Sequence, residues 1–247
     1  MAYDVDLLTA PARFEIARDS GLRVFLGRVY LKVAAGLALS AAVAWCVAEL
    51  PALRDLVFVS APGQDPGFTG WGLALVFSPL AVLFLASFVT RAETGRASAW
   101  LYWTVAGLVG GSLSLLVLVY TGAALVSTFL VTAAAFVGLT AWGYLTRRNL
   151  SGAGAFLVAA LFGLILAMLV NLFLKSPVLD LVLNGLGVLI FAGLIAADTQ
   201  RLKRIYYQTA ESGGLGASSN YGALTLYLNF INLFELLLSF SGSRSRR

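Results

Sequence analysis

The sequence predicts an all-α fold, an integral membrane bundle of seven helices, and three observations carry that expectation. Of 247 residues, 60% are apolar and only 12% charged, with a mean hydropathy of +0.88. A water-soluble domain carries ~25% charged residues because it must present a wetted surface, so half that share means that most of this surface faces lipid. Seven stretches are apolar enough, at ~20 residues with ~1.5 Å of rise each, to cross a hydrocarbon core ~30 Å thick. The basic residues between these stretches collect on one side.

Residues 1–28 carry Asp4, Asp6, Arg13, Glu15, Arg18, Asp19, Arg23 and Arg28 without a long apolar run, which reads as a polar cytoplasmic tail rather than a cleaved signal peptide. The spans follow near 29–48, 71–90, 99–119, 123–145, 153–174, 179–197 and 221–240. Inside lipid the backbone must satisfy its own hydrogen bonds, so stretches of this length are helices. Pro51, Pro62 and Pro66 suit 49–70 to an exposed loop, and a second long loop, 199–220, ends in a Gly/Ser-rich piece, 212–219, expected to be mobile. A single transmembrane domain over 29–240 is therefore expected, with a basic C-terminal tail, 241–247. Gly107, Gly110 and Gly111 in the third span, and Gly185 and Gly187 in the sixth, let helix backbones approach closely, which drives association where lipid supplies no hydrophobic force.

With the N-terminus in the cytoplasm, twelve Lys and Arg fall on the inner side and only Arg54 and Lys175 on the outer, which fits the positive-inside rule. Seven full crossings leave Arg244, Arg246 and Arg247 outside, an unusual place for such a cluster. Either the last segment crosses, which the dominance of early helices favours, or it is a re-entrant helix that returns inside. Arg predominating over Lys, with abundant Ala, Leu and Gly, suits a GC-rich bacterial genome and hence a bacterial plasma membrane.

Counts remove several functions. No histidine is present, so imidazole bases and histidine metal or haem ligands are excluded, and the lone Cys46 can form neither an intramolecular disulfide nor a thiolate cluster. No cofactor is expected. Intramembrane aspartyl proteolysis needs two intramembrane aspartates, typically in YD and GxGD; the only YD is Tyr3-Asp4 in the tail and GxGD is absent. The last span has no mid-span lysine for retinal, so no enzyme or retinal protein is expected. No basic stripe is interleaved with aromatics, so nucleic acid is not an expected partner. The lipid bilayer is.

Ionisable groups within a bilayer cost ~2.5 kcal/mol or more at the helix centre, so each one needs a partner or a reason. Asp198 ends the sixth apolar run and opens Asp198-Thr199-Gln200-Arg201. It is either an interfacial carboxylate paired with Arg201 one turn on, or a group facing into the bundle, where protonation can switch a contact and Arg91 of the second span is a candidate partner. Glu235 either snorkels to the nearer interface or faces the bundle. Asn229 and Asn232 share a face of the last span, and Asn171 adds an amide in the fifth; such amides usually bridge helices.

The run from Gly187 through Phe191 to Asp198-Thr199-Gln200, followed by Leu226-Tyr227-Leu228-Asn229-Phe230-Ile231-Asn232-Leu233-Phe234, resembles the signature end of the transmembrane Bax inhibitor motif family. A looser likeness covers the whole chain, including Arg28-Val29-Tyr30 and Asn171-Leu172-Phe173. The resemblance implies a seven-helix bundle with the last helix central and a pH-sensitive calcium leak in which two aspartates share a proton and control a pore. The first maps onto Asp198, the second onto position 229, and Arg91 occupies the position that can hold the first aspartate in the closed state. This chain has Asn229 where the second aspartate stands. Two carboxylates in contact cannot both ionise cheaply, so the pair acts as a sensor, whereas an asparagine never titrates and attracts calcium less. The expectation is an ion-leak protein for calcium or another cation with a modified Asp198–Asn229 gate, calcium passing near Asp198. The alternative is a non-conducting regulator or scaffold of other membrane proteins, such as a membrane protease or stress-response assembly.

Overall fold

The computed structural model of the chain describes residues 10–59, 67–89, 95–209 and 214–241, with side chains described over 20–59, 67–85, 96–209 and 214–240. Arg91, residues 1–9 of the N-terminal tail, part of the 49–70 loop and Arg244, Arg246 and Arg247 lie outside these residues.

Eight helices run through the described residues, α1 (Ala10–Glu49), α2 (Pro51–Val57), α3 (Gly70–Val89), α4 (Gly95–Val119), α5 (Gly122–Leu145), α6 (Ser151–Leu174), α7 (Pro177–Thr209) and α8 (Leu215–Ser241), with a two-residue antiparallel pair, β1 (Phe58–Val59) and β2 (Gly67–Phe68). Among these residues six helices, α1 and α4 to α8, are long and apolar enough to cross a membrane, and the described part of α3, Gly70–Leu85, is a shorter apolar helix. The chain is an integral, multi-pass α-helical membrane protein.

Three expectations are corrected. The bundle has eight helices, not seven, because the loop after the first span folds. Pro51, at the start of α2, lacks the N–H that a first turn leaves unpaired anyway. Thr69 then caps α3 by accepting from the Gly72 N–H at 3.0 Å while donating to the Leu56 carbonyl at 2.6 Å, and Val57 and Phe58 are buried beside Val47. A seven-residue helix and a two-residue ladder are too short to leave a periodic signal.

The helix with the most extensive packing is α7, not the last one. At 33 residues it runs beside α5, α6 and α8, and a Cβ on Gly143 of α5 would come within 2.9 Å of the Ala196 Cα, so that contact requires glycine. The reason is the third correction. The 199–220 segment is not a long loop, since α7 continues as a helix to Thr209 and α8 begins at Leu215, taking in most of the stretch expected to be mobile. Polar residues end a membrane span without ending a helix. Likewise α1 is helical from Ala10, well before the first apolar run.

Elsewhere the glycine reading holds at Gly110, whose added Cβ would lie 2.7 Å from the Ser40 Cα, and not at Gly107, around which there is open space. The main core gathers Val29, Tyr102, Val105, Ile195, Leu226, Tyr227 and Leu233 from α1, α4, α7 and α8.

Candidate functional site

Asp198 and Asn229 meet. Helices α7 and α8 form an antiparallel pair, drawn close where Gly222 lies under Leu202 and Gly187 under Leu236, and this register sets residue 198 opposite residue 229. The Asn229 Nδ2 donates to the Asp198 Oδ2 at 2.8 Å. Asn229 is 7% exposed and Asp198 half-buried, so the amide is the inner member of the pair and the carboxylate the outer.

The carboxylate also borders two small cavities. One, of about 270 Å³, lies between α7 and α8 and is lined by Asp198, Arg201, Ser218, Tyr221 and Thr225. The other, of about 280 Å³, lies between α6 and α7 and is lined by Ser151, Gly154, Asp198, Arg201 and Arg204. Asp198 and Arg201 are common to both, although they form no ion pair; among the described residues the ion pair within reach is Arg54–Asp55 at 3.6 Å, in α2. Instead of closing on Arg201, the carboxylate takes an uncharged donor, and the guanidinium lines the same two cavities.

The C-terminal part of α7 is held by the residues that follow Asp198. Gln200 clamps the turn between α5 and α6, donating to the Arg148 carbonyl and accepting from the Leu150 N–H, each at 2.8 Å. Lys203 donates to the Tyr144 carbonyl at 2.9 Å and lies over the Tyr144 ring, and Arg204 donates to Ser151. The Thr199 hydroxyl is fully buried and returns to the Ile195 carbonyl at 2.9 Å. Each residue of the Asp-Thr-Gln motif thus has its own partner.

The other two amides read from the sequence, Asn171 and Asn232, do not bridge helices through the bonds they make here. Asn171 accepts from the Ser176 N–H at 3.1 Å and closes the turn after α6, where Lys175 takes a left-handed conformation at φ 50°. Asn232 donates to the Leu228 carbonyl of its own helix at 2.7 Å, and Glu235 is exposed on α8.

Two polar clusters escaped the sequence. Lys32 of α1 donates to Ser219 at 2.7 Å and to Asn220, whose amide donates to Ser98 of α4 at 2.9 Å. Ser40 lies 2.7 Å from the Tyr227 hydroxyl and 2.8 Å from the Ala106 carbonyl, joining α1, α4 and α8. A lysine four residues into an apolar span is the signal that could have found the first cluster, because such a charge requires partners.

Among the described residues there is no group of three or more Asp, Glu, His or Cys side chains. A resident calcium ion takes 6–8 oxygen ligands.

The family model described as inhibitor of apoptosis-promoting Bax1 matches residues 22–246. The chain belongs to the Bax inhibitor family. Curated relatives of this Bax inhibitor family protein match along nearly their whole lengths. An uncharacterized protein of Caulobacter vibrioides is 47% identical over 231 residues, 93% of this chain and 92% of the relative. The inner membrane protein YbhL of Escherichia coli K12 is 38% identical over 227 residues, 91% and 94% of the two. The uncharacterized protein RP147 of Rickettsia prowazekii is 37% identical over 226 residues, 92% of each.

Proposed function

We propose that this Bax inhibitor family protein is a weak cation leak, calcium in the simplest case, with Asp198 and Asn229 at its gate. The observation that carries the reading is the 2.8 Å contact between a carboxylate and a buried amide beside two small cavities that share Asp198 and Arg201. A single negative charge at that junction attracts a cation, and its neutralisation by a proton removes the attraction and alters the hydrogen bond to Asn229. Because Asn229 cannot titrate, the response to pH is that of one carboxylate rather than of a coupled pair. The membrane is a bacterial inner membrane, as the description of the Escherichia coli relative suggests, and the excess of inner-side arginines supports a cytoplasmic N-terminus. No catalytic step is proposed.

Calcium flux into proteoliposomes tests the reading. Flux above that of protein-free vesicles, lost in Asp198→Asn, supports it, and absence of flux while a family member leaks in parallel contradicts it. The replacement of a twin acid by Asn229 favours a second reading, a non-conducting regulator of other membrane proteins. One dominant crosslinked partner in native membranes supports that alternative.

A further inference from the structure

Helix α8 carries a stripe that does not suit lipid. Tyr221, Thr225, Leu228, Asn232, Glu235 and Ser239 recur at intervals of four and three residues, so they occupy one face. All six are exposed or half-buried on a helix most of whose other positions are buried. Five of the six are polar or amphipathic. The stripe covers about 27 Å at ~1.5 Å per residue, close to the ~30 Å of a hydrocarbon core.

Its direction follows from the neighbours of the other faces. Gly222, Asn229 and Leu236 face α7, touching Leu202, Asp198 and lying over Gly187. Asn220 and Tyr227 face α4 through Ser98 and Tyr102, and Phe230 and Phe234 face Phe129 of α5. On the helical wheel the stripe falls between the α7-facing and α4-facing positions, opposite α5. Both α4 and α7 pack on α8 but not extensively on each other, so the stripe lies along the line between them. The seam on the other side of α8, between α1 and α5, forms an apolar groove of about 970 Å³ floored by Phe136 and Phe230, as a lipid-facing surface should. The two seams of one helix therefore differ in chemistry.

At its inner end the stripe runs into the cavity that Tyr221 and Thr225 share with Asp198. Toward the outer end stands Glu235, six residues beyond Asn229 or roughly 9 Å along the axis, with no hydrogen bond or ion pair to any described residue. A carboxylate that is exposed on a membrane-spanning helix and has no partner among the described residues can stay ionised only with water or a cation beside it.

We propose that the seam between α4 and α7 is a water-filled cleft floored by this stripe, in which the Glu235 carboxylate is the outer cation-attracting group and Asp198 the inner one. The acid that position 229 lacks is thereby supplied farther along the same helix. The passage of ions rests on the leak reading, whereas the cleft and its charge do not.

Thiol accessibility in native membranes tests this. In a Cys46→Ala background, Leu228→Cys and Asn232→Cys should react with a charged, water-soluble methanethiosulfonate about tenfold or more faster than Phe162→Cys or Leu169→Cys on the lipid-facing side of α6, because hydrocarbon excludes charged reagents. Rates no faster than those of α6 would overturn the cleft, as snorkelling of Glu235 alone or a covering helix would give. The charge is read separately. The ratio of cationic to anionic reagent rates at Asn232→Cys should fall severalfold on adding Glu235→Gln, and an unchanged ratio would overturn the role of Glu235. Fast labelling with a charge-dependent ratio but no calcium flux in proteoliposomes would uphold the cleft and its charge, and count against the leak reading alone.

Discussion

Helices α6 and α8 have similar lengths and opposite surroundings. Only 6% of the spanning window of α6 is buried against 61% for α8. What α6 exposes is Phe156, Phe162, Ile165, Leu166, Leu169 and Phe173, an apolar surface with nothing to hydrogen-bond. What α8 exposes includes tyrosine, glutamate and serine, with threonine and asparagine half-buried, while most of its apolar residues turn inward apart from Phe240. Hydropathy alone ranks both as spans. The difference lies in which residues are accessible, and it separates a helix that meets lipid from one that serves the interior. The site follows the same division, since Asn229 is on α8, whereas Asn171, the candidate on α6, closes the turn at its end.

Substitutions break or sharpen that comparison. The largest effect is expected from Leu166→Asp, which places a charge on the lipid face of α6 at a cost of about 2.5–3.5 kcal/mol near the bilayer centre, read as reduced insertion and yield of folded protein. Glu235→Leu on α8 should insert normally, and equal losses at the two positions would erase the distinction. Asn229→Leu comes next. It removes the donor that Asp198 uses within the protein, at about 1–3 kcal/mol if the carboxylate stays buried, measured as a lowered thermal midpoint in detergent. Tyr227→Phe removes one of three partners of Ser40, which keeps the Gly36 and Ala106 carbonyls, so about 0.5–1.5 kcal/mol is expected. The smallest effect belongs to Phe162→Leu on α6, within about 0.5 kcal/mol because the side chain meets lipid before and after.

Much of the site was legible because its two halves lie in separate, dense motifs. Asp-Thr-Gln and the run around Asn229 could be aligned with a family pattern, and their meeting in space follows from the antiparallel pairing of α7 with α8. The clamp by Gln200 and the cluster at Lys32 were not legible. Their partners, Leu150 and Asn220, are 50 and 188 positions away, and periodicity along one chain says nothing about contacts at such separation. The segment read as a mobile loop was misjudged for a related reason. Gly216, Ser218 and Ser219 are weak helix formers, but Ser219 and Asn220 are buried against Lys32, and packing overrides propensity there. Arg91, the partner expected for Asp198, lies outside the described residues.

The most direct test of the central claim, that Asp198 and Asn229 form a gate with a single titrating member, is the pH dependence of calcium flux for the native chain and for Asn229→Asp, measured side by side in proteoliposomes across about pH 6–8, where coupled carboxylates can titrate. The account predicts a steeper response once the second carboxylate is restored. Superimposable profiles would contradict it, because position 229 would then have no part in sensing protons.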